Sequence, residues 1–163
     1  MKNNYGLKIL LLLLFLNCFF SCASTPEKRI DSVYVMVYDY ENSGVMDAVI
    51  SIDDEILGNT DIYGRLMFPA KDKKKMTHCI QVKKDGYEIV DITTSIYPGQ
   101  VIYFKIGTGS YYAQKAEKLL DENNANEALI MINKALEIEN RKDWSYLKNI
   151  ITRRLDKWEK EKN

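Results

Sequence analysis

Between Gly107 and Ser110 the hydrophobic pattern of the chain changes its period, and that change limits what the chain can fold into. Upstream, apolar residues recur every second position, the spacing of strands with one buried face. Val33, Val35 and Val37 alternate with Tyr34, Met36, Tyr38 and Tyr40. Ala48, Ile50 and Ile52 alternate with Val49 and Ser51 until Asp53-Asp54 interrupts, which predicts a hairpin returning through Glu55-Ile56-Leu57-Gly58. Asn59 to Gly64 then leads into a further strand with Leu66 and Phe68 inward, Gly64 supplying a positive-φ turn residue. After a charged loop at Lys71 to Lys75, extended character resumes over 76–84, 88–96 and 101–106, the last two segments turning at Tyr97-Pro98-Gly99. Six or seven short strands over 31–107 predict a small antiparallel β-sandwich.

Downstream, the spacing is helical. Tyr112, Ala116, Leu119 and Leu120 fall on one helix face, and Asn124 with Glu127 forms a capping-box-like start to a second helix striped by Ala128, Ile132, Ala135 and Leu136. A third helix over 144–160 carries Leu147, Ile151, Leu155 and Trp158 on its apolar side. Strands first and helices afterwards make the fold class α+β, with Gly107-Thr108-Gly109-Ser110 as a small-residue linker between a sandwich and a helical region at 110–160. One helical hairpin and a capping helix enclose little core, so the helices are expected to pack on the sandwich or on another chain.

The start of the chain fixes an expected address. Lys2 and Lys8 form a basic region, and Ile9 to Phe20 is an apolar run of 12 residues. That is well short of the roughly 20 needed to span a bilayer as a helix. With the small Ser21 before Cys22, the layout is that of a signal peptide over 1–21. Ala23-Ser24-Thr25-Pro26-Glu27-Lys28-Arg29 is small, polar and proline-broken, the composition of a tether over 22–30.

Three resemblances add to this reading. Phe19-Phe20-Ser21-Cys22 resembles the lipobox of bacterial lipoproteins, which implies cleavage after Ser21, acylation of Cys22, and a location in the cell envelope on a bacterial membrane, at its periplasmic face or the cell surface. Met46-Asp47-Ala48-Val49-Ile50-Ser51-Ile52, Gly58-Asn59-Thr60-Asp61-Ile62-Tyr63-Gly64-Arg65-Leu66 and Lys83-Lys84-Asp85-Gly86-Tyr87 together resemble the carboxypeptidase regulatory-like and PEGA domains. Those are transthyretin-like sandwiches without catalytic residues of their own. Tyr112, Ala116, Leu119, Ala128, Ile132, Ala135 and Leu136-Glu137-Ile138 resemble one tetratricopeptide repeat, with Asn140 where that repeat usually carries proline.

Composition narrows the function classes further. The whole chain has 23 basic and 23 acidic side chains, a balance that argues against nucleic acid as a partner. With Cys18 in the leader and Cys22 acylated, Cys79 would have no disulfide partner, and no metal site built on paired cysteines is expected. His78 and Cys79 are adjacent on a strand and face opposite ways, so they cannot act together as base and nucleophile. Asp47, Asp53, Asp54, Glu55 and Asp61 are turn formers first, and their spacing is not that of an EF-hand. No glycine loop of the phosphate-cradling kind is present, and no cofactor is expected. The reading is a non-enzymatic, lipid-anchored envelope protein that binds a protein partner or an envelope polymer. Tyr34, Tyr38 and Tyr40 form the expected partner or ligand surface. The rivals are a module stacking glycan rings on those tyrosines and a hydrolase using Asp53, Asp54 and Asp61.

Overall fold

The computed structural model describes residues 31–70 and 77–162; the leader, the tether with Cys22 and the charged loop at 71–75 lie outside the described residues, as does the side chain of Trp158. Seven strands precede three helices, an α+β order: β1 (Ser32–Tyr38), β2 (Val49–Ile52), β3 (Glu55–Asn59), β4 (Arg65–Pro69), β5 (His78–Lys83), β6 (Val90–Thr94), β7 (Val101–Lys105), α1 (Gly109–Asp121), α2 (Ala125–Ile138) and α3 (Lys142–Lys162). The strands form two sheets, ordered β4-β1-β7 and β3-β2-β5-β6. All pairings are antiparallel but one: β1 and β7 run parallel, with Tyr34 opposite Val101 and Tyr38 opposite Lys105. The expected all-antiparallel sandwich is corrected at that pair. The long passage from β1 through the second sheet allows β7 to return alongside it in the same direction.

The β-branched side chains of β1, β2 and β5 meet between the sheets. Val33, Val35, Val37, Ile50, Ile52, Ile80 and Val82 have no exposed surface, and Phe68, Ile102, Phe104 and Ile106 close the layer. Each such side chain contributes about 1.5–3 kcal/mol of burial. The tight turns fall where short polar residues or glycine tolerate positive φ. Asp53 and Asp54, at φ 48° and 68°, turn β2 into β3, and Gly64, at φ 74°, precedes β4. A Cβ on Gly64 would strike the Val37 carbonyl, so that position is closed to other residues by contact as well as by backbone angle. Buried Thr60 accepts the Ala48 amide at 2.9 Å and donates to the Val45 carbonyl at 2.6 Å, tying the segment before β2 to the end of β3.

The helices enclose a second core of Tyr112, Ala113, Ala116, Leu120, Ala128, Ile132, Ala135, Trp144 and Ile151. Thr108 caps α1 by accepting the Tyr111 amide at 3.1 Å, and Asn124 caps α2 by accepting the Glu127 amide at 3.4 Å. The segment read as a linker is instead a packed joint. Gly107 and Gly109 are buried, and a Cβ on either would lie 2.7 Å from the Tyr112 ring or 2.6 Å from the Trp144 ring respectively. The sandwich and the helices therefore meet in close contact. Among the described residues, no helix is long and apolar enough to cross a membrane.

Candidate functional site: an exposed apolar face of the first sheet

The outer face of the β4-β1-β7 sheet is assembled by register. Because directly paired residues point the same way, Tyr34 lies between Met67 and Val101, Met36 between Arg65 and Tyr103, and Tyr38 beside Lys105. The inward residues of β1 are buried valines, which leaves the tyrosines and Met36 half-buried on the far side. Their neighbours are more open: Met67 is 58% exposed, Val101 42% and Tyr103 65%. Six apolar or aromatic side chains thus share one face, bordered by Arg65 and Lys105. A contiguous apolar face on a surface marks an interaction site more often than scattered single residues do.

Tyr34 and Tyr38 stand on this face. Tyr40 does not, because β1 ends at Tyr38 and the chain turns through Asp39, whose carboxylate accepts the amides of Glu41 at 2.9 Å and Ser43 at 2.8 Å. Tyr40 instead stacks on Tyr111 of α1, with centroids 4.5 Å apart and planes 3° from parallel. The alternation in the sequence continued past the end of the strand, so it carried Tyr40 onto the wrong surface. Tyr103 and Met67, which complete the face, escaped sequence reading because only strand pairing brings β7 and β4 alongside β1.

Behind Tyr40 lies a polar cluster that holds the two modules together. Glu88 accepts the Gly107 amide at 2.9 Å, accepts the Tyr112 hydroxyl in a short hydrogen bond, and pairs with Lys134 of α2 at 3.2 Å. Lys134 also sits 4.8 Å from the centre of the Tyr112 ring. Burial, and then the neighbouring Glu88 carboxylate, push the Tyr112 phenol well above its ordinary range, so it stays a neutral donor. Beside this cluster a groove of about 460 Å³ is walled by Lys84, Tyr87, Glu88, Ile89, Lys134 and Ile138.

The carboxylates named for hydrolysis are engaged in turns. Asp53 bonds the buried His78 ring at 2.7 Å through one oxygen and accepts the Cys79 amide at 3.1 Å through the other. Asp61 accepts the amides of Tyr63 and Arg65, both at 2.9 Å, and pairs with the Arg65 guanidinium at 3.1 Å. His78 is buried while Cys79 is exposed, as opposite faces of a strand require. Among the described residues no three acidic, histidine or cysteine side chains converge as a metal would need.

No family model matches the sequence, and no curated protein matches it. Among solved structures, the chain is similar to the Bacillus anthracis TIE protein at 12% identity and a TM-score of 0.40, over 49% of this chain and 17% of that one. It is also similar to the Caf1A usher C-terminal domain at 8% identity and a TM-score of 0.35, over 47% of this chain and 97% of that one.

Proposed function

We propose that this protein is a non-enzymatic, lipid-anchored component of a bacterial cell envelope that docks a protein partner or an envelope polymer on the outer face of its first sheet. The observation that carries the docking role is the contiguous face made by Tyr34, Met36, Tyr38, Met67, Val101 and Tyr103. Support for the anchor comes from the basic start, the 12-residue apolar run and the small-residue exit at Ser21-Cys22. The same reading takes the sandwich as carboxypeptidase regulatory-like or PEGA-like and the helices as a tetratricopeptide-like hairpin, on the motifs that resemble them. In this arrangement the lipid on Cys22 holds the sandwich at a membrane surface.

A glycan-binding role is favoured by one feature, the three tyrosines Tyr34, Tyr38 and Tyr103 on one sheet face, since sugar rings stack on aromatic faces. Titration with cell-wall glycans separates the two: saturable binding that is lost in Tyr34→Ala and Tyr38→Ala would replace the protein partner with a polymer. Changing Cys22 to Ser is expected to move the protein from the membrane fraction to the soluble fraction and to abolish palmitate labelling. Continued labelling and pelleting would contradict the anchor.

A further inference from the structure

Helix α3 buries one side and exposes the opposite one. Trp144 and Ile151 are buried in the helical core, and Leu147 and Leu155 pack against it. Trp144 lies against Gly109 at the start of α1, and the Arg154 guanidinium donates to the Leu120 carbonyl near its end at 2.7 Å. α3 therefore runs alongside α1 in the same direction, away from the sandwich. The 71–76 loop attaches at the other end of the sheets, where Ser32 pairs with Pro69 and His78 with Thr94. The joint with the helices lies beyond Tyr38 and Tyr87, whose partners are Ile106 and Thr108.

The exposed side of α3 is chemically uniform. At about 100° per residue, Lys142, Arg153, Lys157 and Lys160 fall within one arc about 100° wide, and Tyr146, Asn149 and Ile150 share it. All of them are exposed, Tyr146 at 68% and Ile150 at 38%. No acidic residue falls in that arc. Asp143 and Asp156 stand about 70° from its centre, one on each side, and Asp143 is paired with Arg141 at 2.8 Å. The segment 141–163 carries eight basic and four acidic residues, whereas 23–140 carries 13 and 19. Cations are thus concentrated on α3, and its acids are kept off the outer stripe. An ordinary solvated helix face alternates the two signs.

We propose that the outer stripe of α3 seats the protein on an anionic membrane surface. The stripe is a convex ridge ~27 Å long from Lys142 to Lys160, a shape that meets a plane along its length. Each Lys or Arg held near an anionic bilayer adds to the attraction. Tyr146 and Ile150, side by side one turn apart, place apolar atoms at headgroup depth, as do the alkyl stems of the lysines. A nucleic acid is the poorer match, because its phosphates reward the cations alone and gain nothing from the two apolar side chains among them. The contact is separate from a lipid on Cys22 and from the β4-β1-β7 face, so the inference goes beyond the docking role and does not rest on it.

Residues 31–163 form one compact unit that holds both cores, so the test can be made without the leader and Cys22. Co-sedimentation of 31–163 with phosphatidylcholine vesicles containing rising fractions of phosphatidylglycerol measures the contact. Binding is expected to rise with the anionic fraction, to be absent on phosphatidylcholine alone, and to be lost in ~1 M salt, where the screening length is ~3 Å. Lys142→Gln and Arg153→Gln are each expected to weaken binding about 5-fold, and Asn149→Lys to tighten it about 5-fold. Lys83→Gln removes the same charge from the end of β5 and is expected to leave binding unchanged. All four side chains are exposed, so the changes spare both cores. Absence of binding to anionic vesicles at low salt, stripe variants that bind like the parent, or an equal loss from Lys83→Gln would overturn the proposal. So would tighter binding to duplex DNA than to the vesicles through the same residues, since the partner would then be a nucleic acid.

Discussion

Glu88 is the residue on which the joint between sandwich and helices turns. Its carboxylate is shared by the Gly107 amide, the Tyr112 hydroxyl and the Lys134 ammonium, so one side chain from the sandwich engages the joint, α1 and α2 together. Replacing Tyr112 with Phe deletes a hydrogen bond to a charged acceptor and is expected to lower stability by about 1–3 kcal/mol in chemical denaturation. The pH dependence has a definite sign. The phenol is raised in the folded chain above its unfolded value of about 10. Its contribution is complete below about pH 10 and is lost as the pH rises beyond it. In melting curves taken through that alkaline range, Tyr112→Phe is expected to lose less stability with rising pH than the parent; equal losses would contradict the assignment. Gly107 and Gly109 show why this joint was hard to read from sequence. Two glycines flanking a threonine look like a linker, yet here they are small because the Tyr112 and Trp144 rings occupy the space a Cβ would need.

At the scale of elements, the turn between β3 and β4 is held by Asp61, whose carboxyl is kept below its usual range mainly by the Arg65 amide and further by the Tyr63 amide and the Arg65 side chain. A depressed carboxyl contributes stability above its unfolded pKa of about 3.9 and loses it as the pH falls. Asp61→Asn is expected to flatten part of the acid arm of the stability profile, seen as a smaller drop in Tm from neutral to acid pH. The strands themselves were legible because period-two patterning acts locally: the valines of β1 and the isoleucines of β2 all point inward, and Asp53-Asp54 turns where it was expected to. The helix faces were legible for the same reason, with Ala116, Ala128, Ile132 and Ala135 all fully buried. What sequence could not supply was pairing between distant elements. The parallel return of β7, the His78–Asp53 contact and the place of Trp144 in the helical core each depend on residues far apart in the chain. Tyr40 illustrates the converse, a residue whose local pattern continued while its strand had ended.

Over the whole molecule, two apolar cores are joined by a buried glycine segment, a tyrosine stack and a three-way carboxylate contact. A joint of that kind couples the modules, so thermal unfolding followed by far-ultraviolet and tyrosine signals is expected to give one coincident transition. Limited proteolysis is expected to leave no stable sandwich fragment ending near Ser110; early loss of the helices with an intact sandwich would contradict the coupling. The coupled body presents the outer face of the first sheet away from its own core, where the proposed docking role would place its partner. Site-directed photo-crosslinking in cells tests that role most directly, with the reactive group placed in turn at Tyr34, Tyr38 and Met67 and, as a control on the other sheet, at the exposed Thr93. The expected result is discrete adducts from the first three positions and none from Thr93. Adducts of equal yield from Thr93, or none from the β4-β1-β7 face, would contradict the docking role.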